Sequence, residues 1–124
     1  METSSMNFLN IKAIALAVTD LERAKHFYTD TLLLRPAYED GQQVGNHLGN
    51  TVLIFKKDWY AQPSDALNPR VTIESGDARS TEVTLRKRGV VIADPVERYG
   101  EGLVGSFLDS EGNKLWFCSG PGPT

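Results

Sequence analysis

The chain has 124 residues, 40% hydrophobic and 23% charged, and its 13 Lys and Arg against 16 Asp and Glu give a net charge of −3. This composition is typical of one globular domain or two small repeated modules, and no segment has the roughly 18 apolar residues that a membrane span needs. The evenly spread charges leave no basic stripe for nucleic acid. The polar opening METSSMN lacks the features of a secretory signal. We therefore expect a cytoplasmic protein that binds neither nucleic acid nor a membrane.

The first half of the chain predicts a strand, a helix and three further strands. The first strand, 11–18, alternates larger residues with three alanines that share one face, Ala13, Ala15 and Ala17. A helix of about eleven residues follows at once, begun either by Asp20 as N-cap or by a capping box of Thr19 and Glu22. Three short strands are then predicted at 37–40, 44–48 and 51–57.

The second half repeats this order after a polar loop, 58–69. A strand at 70–74 precedes a helix at 78–88, with Asp77 as N-cap and Gly89 where a left-handed residue ends the helix. Three strands follow at 90–93, 105–108 and 114–118, and then a tail at 119–124. The offset of about 60 residues indicates an internal duplication. We expect a single domain, 1–124, made of two modules, 8–57 and 70–118.

Two segments carry a family resemblance. The segment VTDLERAKHFYTDTL, 18–32, resembles the N-terminal signature of the vicinal oxygen chelate superfamily, and FLDSEGNKLWF, 107–117, resembles its C-terminal signature. That superfamily includes glyoxalases, extradiol dioxygenases and bleomycin-resistance proteins. The resemblance implies an α+β fold of paired βαβββ modules that form a concave cleft. Leu33 stands where the family commonly has Gly, and Ser110 where Pro is common.

The resemblance also implies where a metal ion would bind. Metal-dependent members use four side chains, from the first and last strands of each module, and such ions need nitrogen or oxygen donors. The corresponding residues here lack them: Ala13, Leu53 or Ile54, Arg70 and Trp116. We expect His26 on a helix surface and His47 on a short strand, without a carboxylate to complete a site. The single Cys118 excludes a disulfide within the chain and any cysteine-only metal site. Because the four ligand positions also lack donors, we expect no metal and no cofactor.

Strand alternation predicts which side chains line the cleft. The alanine face leaves room for a bulky ligand, and Trp116 either packs in the core or forms a flat aromatic wall. Glu74 is the one catalytic candidate, and its alternatives are an ion pair with Arg70 or a solvated strand edge. The predicted ligand-binding residues are Ala13, Ala15, Ala17, Phe55, Trp59, Tyr60, Arg70, Thr72, Tyr99 and Trp116.

These features predict a metal-free relative of the bleomycin-resistance branch. Such a protein sequesters a bulky small molecule, aromatic or cationic, without altering it, and the resemblance implies a homodimer. The alternative is a lyase, isomerase or dioxygenase of the superfamily. That enzyme would use Glu74 without a metal, or would have metal ligands at positions other than those assigned above.

Overall fold

A computed structural model of the chain describes residues 6–58 and 61–121. The chain divides into two compact units, Met1–Ala61 and Gln62–Thr124, each containing one four-stranded sheet. The first unit contains β1 Ala13–Val18, α1 Leu21–His26, a π-helical turn Phe27–Thr31, β2 Pro36–Glu39, β3 Gln42–Leu48 and β4 Thr51–Lys57. The second contains β5 Thr72–Glu74, α2 Ala78–Lys87, β6 Val91–Tyr99, β7 Gly102–Leu108 and β8 Lys114–Ser119. No helix in the described ranges is long and apolar enough to cross a bilayer.

Both sheets have the same topology. The strand order is β1-β4-β3-β2 in the first sheet and β5-β8-β7-β6 in the second. In each sheet the first and last strands of the unit pair in parallel, while the other neighbours are antiparallel. The repeat confirms the predicted α+β fold of two βαβββ modules.

The first helix begins where the sequence indicates but changes type halfway. Asp20 is the N-cap, because its Oδ1 accepts a hydrogen bond from the Arg23 N–H at 3.0 Å. After His26 the backbone widens into the π-helical turn, in which the Leu32 N–H donates to the Phe27 carbonyl at 2.9 Å. The two segments together span the length predicted for one helix.

The core of the first unit lies between this helix and one face of its sheet. Tyr28 is fully buried, and its ring lies 5.2 Å from that of Phe55 on β4. Burying such a side chain contributes about 1.5–3 kcal/mol. Asn46 is also fully buried, and its amide donates to Thr29 Oγ1 and to the Leu34 carbonyl, both at 3.0 Å. This satisfied polar group ties the end of the helix to β3.

The second unit packs α2 against its own sheet in the same way. Asp77 is the N-cap, as predicted, with Oδ1 accepting from the Ser80 N–H at 3.3 Å, and Gly89 has the expected positive φ of 78°. The main buried side chains are Leu85, Val90, Phe107, Leu115 and Phe117. They form the core between α2 and the sheet.

The signature segment at 109–113 forms a closed turn between β7 and β8. Asp109 Oδ1 accepts from the N–H groups of Glu111 and Asn113, both at 2.8 Å. Asn113 is fully buried, and its Oδ1 accepts from the Ser64 N–H at 3.0 Å. These residues therefore fix the turn and attach the chain before β5 to it. Ser110 takes no part in these three bonds, which accounts for its tolerance in place of Pro.

Several predicted boundaries in the second unit were wrong. β6 runs to Tyr99 instead of ending at 93, β7 begins at Gly102, and β5 begins at Thr72. β6 tolerates Pro95 because it is an edge strand with irregular register between Asp94 and Glu97. The neighbouring Val96 N–H donates to Glu82 Oε1 of α2 at 2.6 Å. β8 includes Ser119, whose Oγ accepts from the Ala78 N–H at 2.9 Å, so this residue belongs to the module and not to the tail.

Candidate ligand-binding face of the second sheet

Each sheet has one face against the helix of its own unit and an opposite face, here called the helix-free face. On the second sheet one row of this face crosses all four strands. The aligned residues are Thr72, Trp116, Ser106 and Asp94. On β8 the helix-free residues, Lys114 and Trp116, alternate with the buried Leu115 and Phe117. Small polar groups therefore flank one large aromatic ring.

Two cationic side chains lie close to the ring of Trp116. The Arg70 guanidinium carbon lies 4.1 Å from the centroid of its ring, and Lys114 Nζ lies 5.1 Å from that centroid. Both distances fall within the range of cation–π attraction. Because Trp116 is half-buried and lies on the helix-free face, it is not part of the core between α2 and the sheet. Its contact with a ligand stays a prediction.

Lys114 is held by a carboxylate on β6. Asp94 Oδ2 accepts hydrogen bonds from Ser106 Oγ at 2.5 Å and from Lys114 Nζ at 2.9 Å. The bond from Ser106, then the bond and charge of Lys114 and the charge of Arg70, lower the pKa of Asp94 below its ordinary 3.8 against the opposing effect of burial. Asp94 is thus ionised at neutral pH and balances the charge of Lys114.

Arg70 and Glu74 do not pair with each other. Both side chains are exposed, and the ion pairs among the described residues include neither of them. Glu74 aligns with Cys118 on β8, one row beyond Trp116. Of the three sequence interpretations of Glu74, the ion pair with Arg70 is therefore wrong, and a solvated position on the outer strand describes its surroundings.

The helix-free face of the first sheet is built mainly from small and aliphatic residues, with His47 and Lys56 as its polar members. One row aligns Ala13, Val52 and His47, and the next aligns Ala15, Ile54 and Gly45. Exposure falls along β1, from the exposed Ala13 through the half-buried Ala15 to Ala17, which is 3% exposed. Leu53 is 1% exposed and faces the helix, so of the two candidates for the second metal position, Leu53 and Ile54, it is Ile54 that lies on the helix-free face.

The four positions that would hold a metal in the superfamily do not fit one. They carry two aliphatic side chains, an indole and a guanidinium: Ala13, Ile54, Trp116 and Arg70. None supplies a lone pair for a divalent ion, and the Arg70 charge would repel it. Within 6–58 and 61–121 no three residues among His, Cys, Asp and Glu are grouped to share a metal. His26 lies on the exposed side of α1, where Nδ1 is 2.8 Å from Asp30, and not beside His47 on the sheet.

The other predicted ligand-binding residues are dispersed. Phe55 packs against Tyr28 in the core and is 6% exposed, so the structure gives it a packing role away from the helix-free face. Tyr99 is 80% exposed at the end of β6, beside the turn that leads to β7. Trp59 and Tyr60 lie outside the described residues. The two alanines nearest the strand start, Ala13 and Ala15, are the accessible part of the alanine face.

Sequence reasoning missed Asp94 and Ser106 as members of this face. The prediction ended β6 at residue 93, because Asp94-Pro95 has the composition of a turn. Lys114 could be placed on the face by alternation from Trp116, but its carboxylate partner could not. A strand can continue through a proline when it lies at the edge of a sheet. Extending β6 past Asp94-Pro95 as an edge strand was therefore the available way to place Asp94 on the face.

Comparisons with known proteins agree with this fold. The sequence model of the Glyoxalase/Bleomycin resistance protein/Dioxygenase superfamily matches residues 10–117, and the chain belongs to that superfamily. No curated protein matches the sequence.

Similar solved structures include proteins described as enzymes and as binding proteins. The antibiotic-binding protein TnmS3 from Streptomyces sp. CB03234 is 19% identical, with a TM-score of 0.74 over 92% of this chain and 98% of that one. Lactoylglutathione lyase from Agrobacterium tumefaciens is 20% identical, with a TM-score of 0.70 over 90% and 93%. A superfamily member from Sphaerobacter thermophilus is 18% identical, with a TM-score of 0.74 over 91% and 98%. At these identities the likeness establishes the fold alone.

Proposed function

We propose that this protein binds and sequesters a bulky, partly aromatic small molecule without metal chemistry. The observation that carries this proposal is the position of Trp116, a half-buried ring on the helix-free face. The superfamily resemblance implies that metal-dependent members have a metal-binding side chain at this position. An indole there offers a stacking surface of the kind that binds planar molecules. The antibiotic-binding relative TnmS3 supports the proposal as an example of ligand binding on the same fold.

The side chains around Trp116 also support binding over catalysis. Asp94 is ionised and already accepts bonds from Ser106 and Lys114, so it is poorly suited to take a proton from a substrate. Glu74 aligns with Cys118, and no residue within 6–58 and 61–121 forms an ion pair or hydrogen bond with its carboxylate that would orient it as an acid or base. The residues around the ring therefore supply shape and charge, as a binding protein requires.

The first test titrates the protein against 9-anthracenemethanol, a planar and uncharged three-ring probe, and follows the fluorescence anisotropy of the probe. We expect saturable binding, and an affinity about tenfold lower for Trp116→Ala because the stacking surface is lost. Tyr38→Ala is the matched control, since it removes an exposed ring, 66% accessible, from β2 of the other unit. Absence of binding, or equal losses in both variants, contradicts the proposal.

The same samples separate sequestration from catalysis. Mass spectrometry of the probe after prolonged incubation should return it unaltered. Elemental analysis for Zn, Ni, Mn, Fe and Co should find no stoichiometric metal, and adding each metal should leave Tm unchanged. A chemically altered probe or a bound metal would favour the enzyme alternative.

We further infer from superfamily membership that two copies of the chain pair as a homodimer. Sedimentation velocity at micromolar concentration measures this directly. A monomer at all concentrations would refute the inference without affecting the ligand proposal.

A further inference from the structure

We propose that the ligand carries an anionic group, such as a carboxylate, next to its planar ring, and that Arg70 binds this group while the ring stacks against Trp116. This inference rests on the proposed ligand-binding function and makes it specific. It differs from the expectation of a cationic ligand, which was drawn from the net charge. The net charge of −3 describes the whole chain, whereas recognition depends on the charges beside the ring.

Arg70 is the cation of this face that lacks an anionic partner. Its guanidinium lies over the Trp116 ring, its side chain is exposed, and no carboxylate among the described residues lies within ion-pair distance of it. A guanidinium has five N–H donors in one plane, and stacking on a ring leaves these donors able to bind an acceptor. An oxygen of the ligand would accept hydrogen bonds from the N–H donors of Arg70, which bond to no other group among the described residues.

Lys114 does not compete for that role. Its Nζ donates to Asp94 Oδ2 at 2.9 Å, and its side chain is 21% exposed. Asp94 accepts its two bonds from Ser106 and Lys114, while Arg70 acts on it only through a longer-range charge interaction. The Lys114–Asp94 pair is thus neutral as a unit, and the charge beside Trp116 is set by Arg70.

Glu74 lies too far along the strand to neutralise Arg70. Glu74 is four positions after Arg70, which corresponds to about 13 Å in an extended chain. Thr72 lies between them, exposed and aligned with Trp116. Three groups therefore follow one another along this edge of the face: the Arg70 cation, the Thr72 hydroxyl beside the indole, and the separate Glu74 carboxylate. An anionic ligand would place its charge at the Arg70 end.

Three probes with one ring system test this charge preference: anthracene-9-carboxylate, 9-anthracenemethanol and 9-(aminomethyl)anthracene. Charge-assisted hydrogen bonds from Arg to a carboxylate are about twice as strong as neutral ones. We therefore expect the carboxylate to bind about tenfold more tightly than the alcohol, and the amine to bind most weakly. Raising the salt concentration should reduce the preference for the carboxylate and leave the alcohol unchanged.

Variants at Arg70 show whether this residue causes the preference. In Arg70→Met the carboxylate should bind no better than the alcohol, while alcohol binding changes by less than about threefold. Arg70→Lys should restore part of the preference, because it returns the charge without the planar fork. The control is Arg79→Met, which removes an exposed arginine from α2 on the other side of the sheet and should change none of the affinities.

The outcomes separate this inference from the proposed function. Equal binding of the three probes, or a preference for the amine, overturns the anionic ligand and leaves aromatic binding intact. A carboxylate preference that persists in Arg70→Met overturns the assignment to Arg70. Failure of all three probes to bind overturns the proposed function and this inference with it.

Discussion

The helix-free faces of the two sheets differ in chemistry although the strands beneath them follow one order. In the first sheet the aligned residues are mostly alanines, Val52, Ile54 and a glycine, with His47 and Lys56 as the polar members. In the second they include an indole, two cations and an ionised carboxylate. Both helix-facing sides are apolar cores, because packing constrains them, while the opposite faces differ in residue type. The polar and aromatic residues on which the proposed ligand binding depends therefore lie in the second unit.

The strongest test of the comparison concerns the need for small residues in the first sheet. A Cβ at Gly45 would lie 1.8 Å from the Leu53 carbonyl oxygen on the adjacent strand, a contact that backbone atoms cannot relieve locally. We expect Gly45→Ala to lower the free energy of unfolding by about 3 kcal/mol, measured by urea denaturation.

The matched control for this substitution is Gly76→Ala. A Cβ at Gly76 meets no atom within 4 Å, and its φ is not in the left-handed region. The control should change stability by about 0.5 kcal/mol or less. Similar free energies of unfolding for the two variants would show that β3 can move away from β4. The helix-free face of the first sheet would then be less rigid than its packing indicates.

Asp94, the carboxylate on the helix-free face of the second sheet, allows a pH-dependent test. The folded-state pKa of Asp94 lies below its ordinary 3.8, so its contribution to stability is complete above that pH and is lost as pH falls through the folded value. Asp94→Asn should therefore be less stable than the wild type at pH 6, and the difference should shrink below pH of about 4. Because the Asp94 side chain is 45% exposed, we expect a difference of about 1 kcal/mol or less.

Guanidinium denaturation would screen this interaction, so urea is the appropriate denaturant. Glu82 also has a lowered pKa, caused first by the hydrogen bond from the Val96 N–H and then by that from Arg86. The stability that is lost when Glu82 is protonated is the same in the wild type and in Asp94→Asn, so it cancels when the two are compared. A difference that stays constant down to pH 2 would contradict the role assigned to Asp94.

The smallest effect concerns a residue of the first unit that lies outside both faces. Leu33 adopts a φ of 61° directly after the π-helical turn, a conformation that costs a non-glycine residue about 1–2 kcal/mol. Glycine relieves this strain but loses more entropy on folding, so we expect Leu33→Gly to stabilise the protein by about 0.5 kcal/mol. Leu33→Ala keeps the strain and should not stabilise. A raised Tm in both variants would instead point to the exposed leucine side chain.

The sequence predicted the fold well because its signals are local. Asp20 and Asp77 are N-caps, Gly89 has a positive φ, and the alternation in β8 separates the buried Leu115 and Phe117 from the half-buried Lys114 and Trp116. The change to a π-helical turn after His26 was not predictable, since it depends on how Tyr28 and Asn46 pack against the sheet. Such tertiary effects leave no periodic pattern.

The candidate site was predicted only in part for a related reason. Alternation identified the faces of Arg70, Thr72 and Trp116, and the structure aligns Thr72 with Trp116. The bond between Lys114 and Asp94 joins residues on strands that are not neighbours, β8 and β6, across β7. Their alignment depends on the irregular register around Pro95, which no local pattern encodes. The absence of metal donors at four positions, by contrast, required only the residue types.

The edge strand β6 of the second sheet bears on how the protein behaves when concentrated. An exposed edge strand can template the addition of strands from other molecules, which leads to fibrils. In β6 the proline at 95 has no N–H to offer, and the N–H of Val96 is already bonded to Glu82. Two successive donors are thus withheld at the middle of the edge. The same interruption that positions Asp94 therefore protects the folded chain against edge-to-edge aggregation.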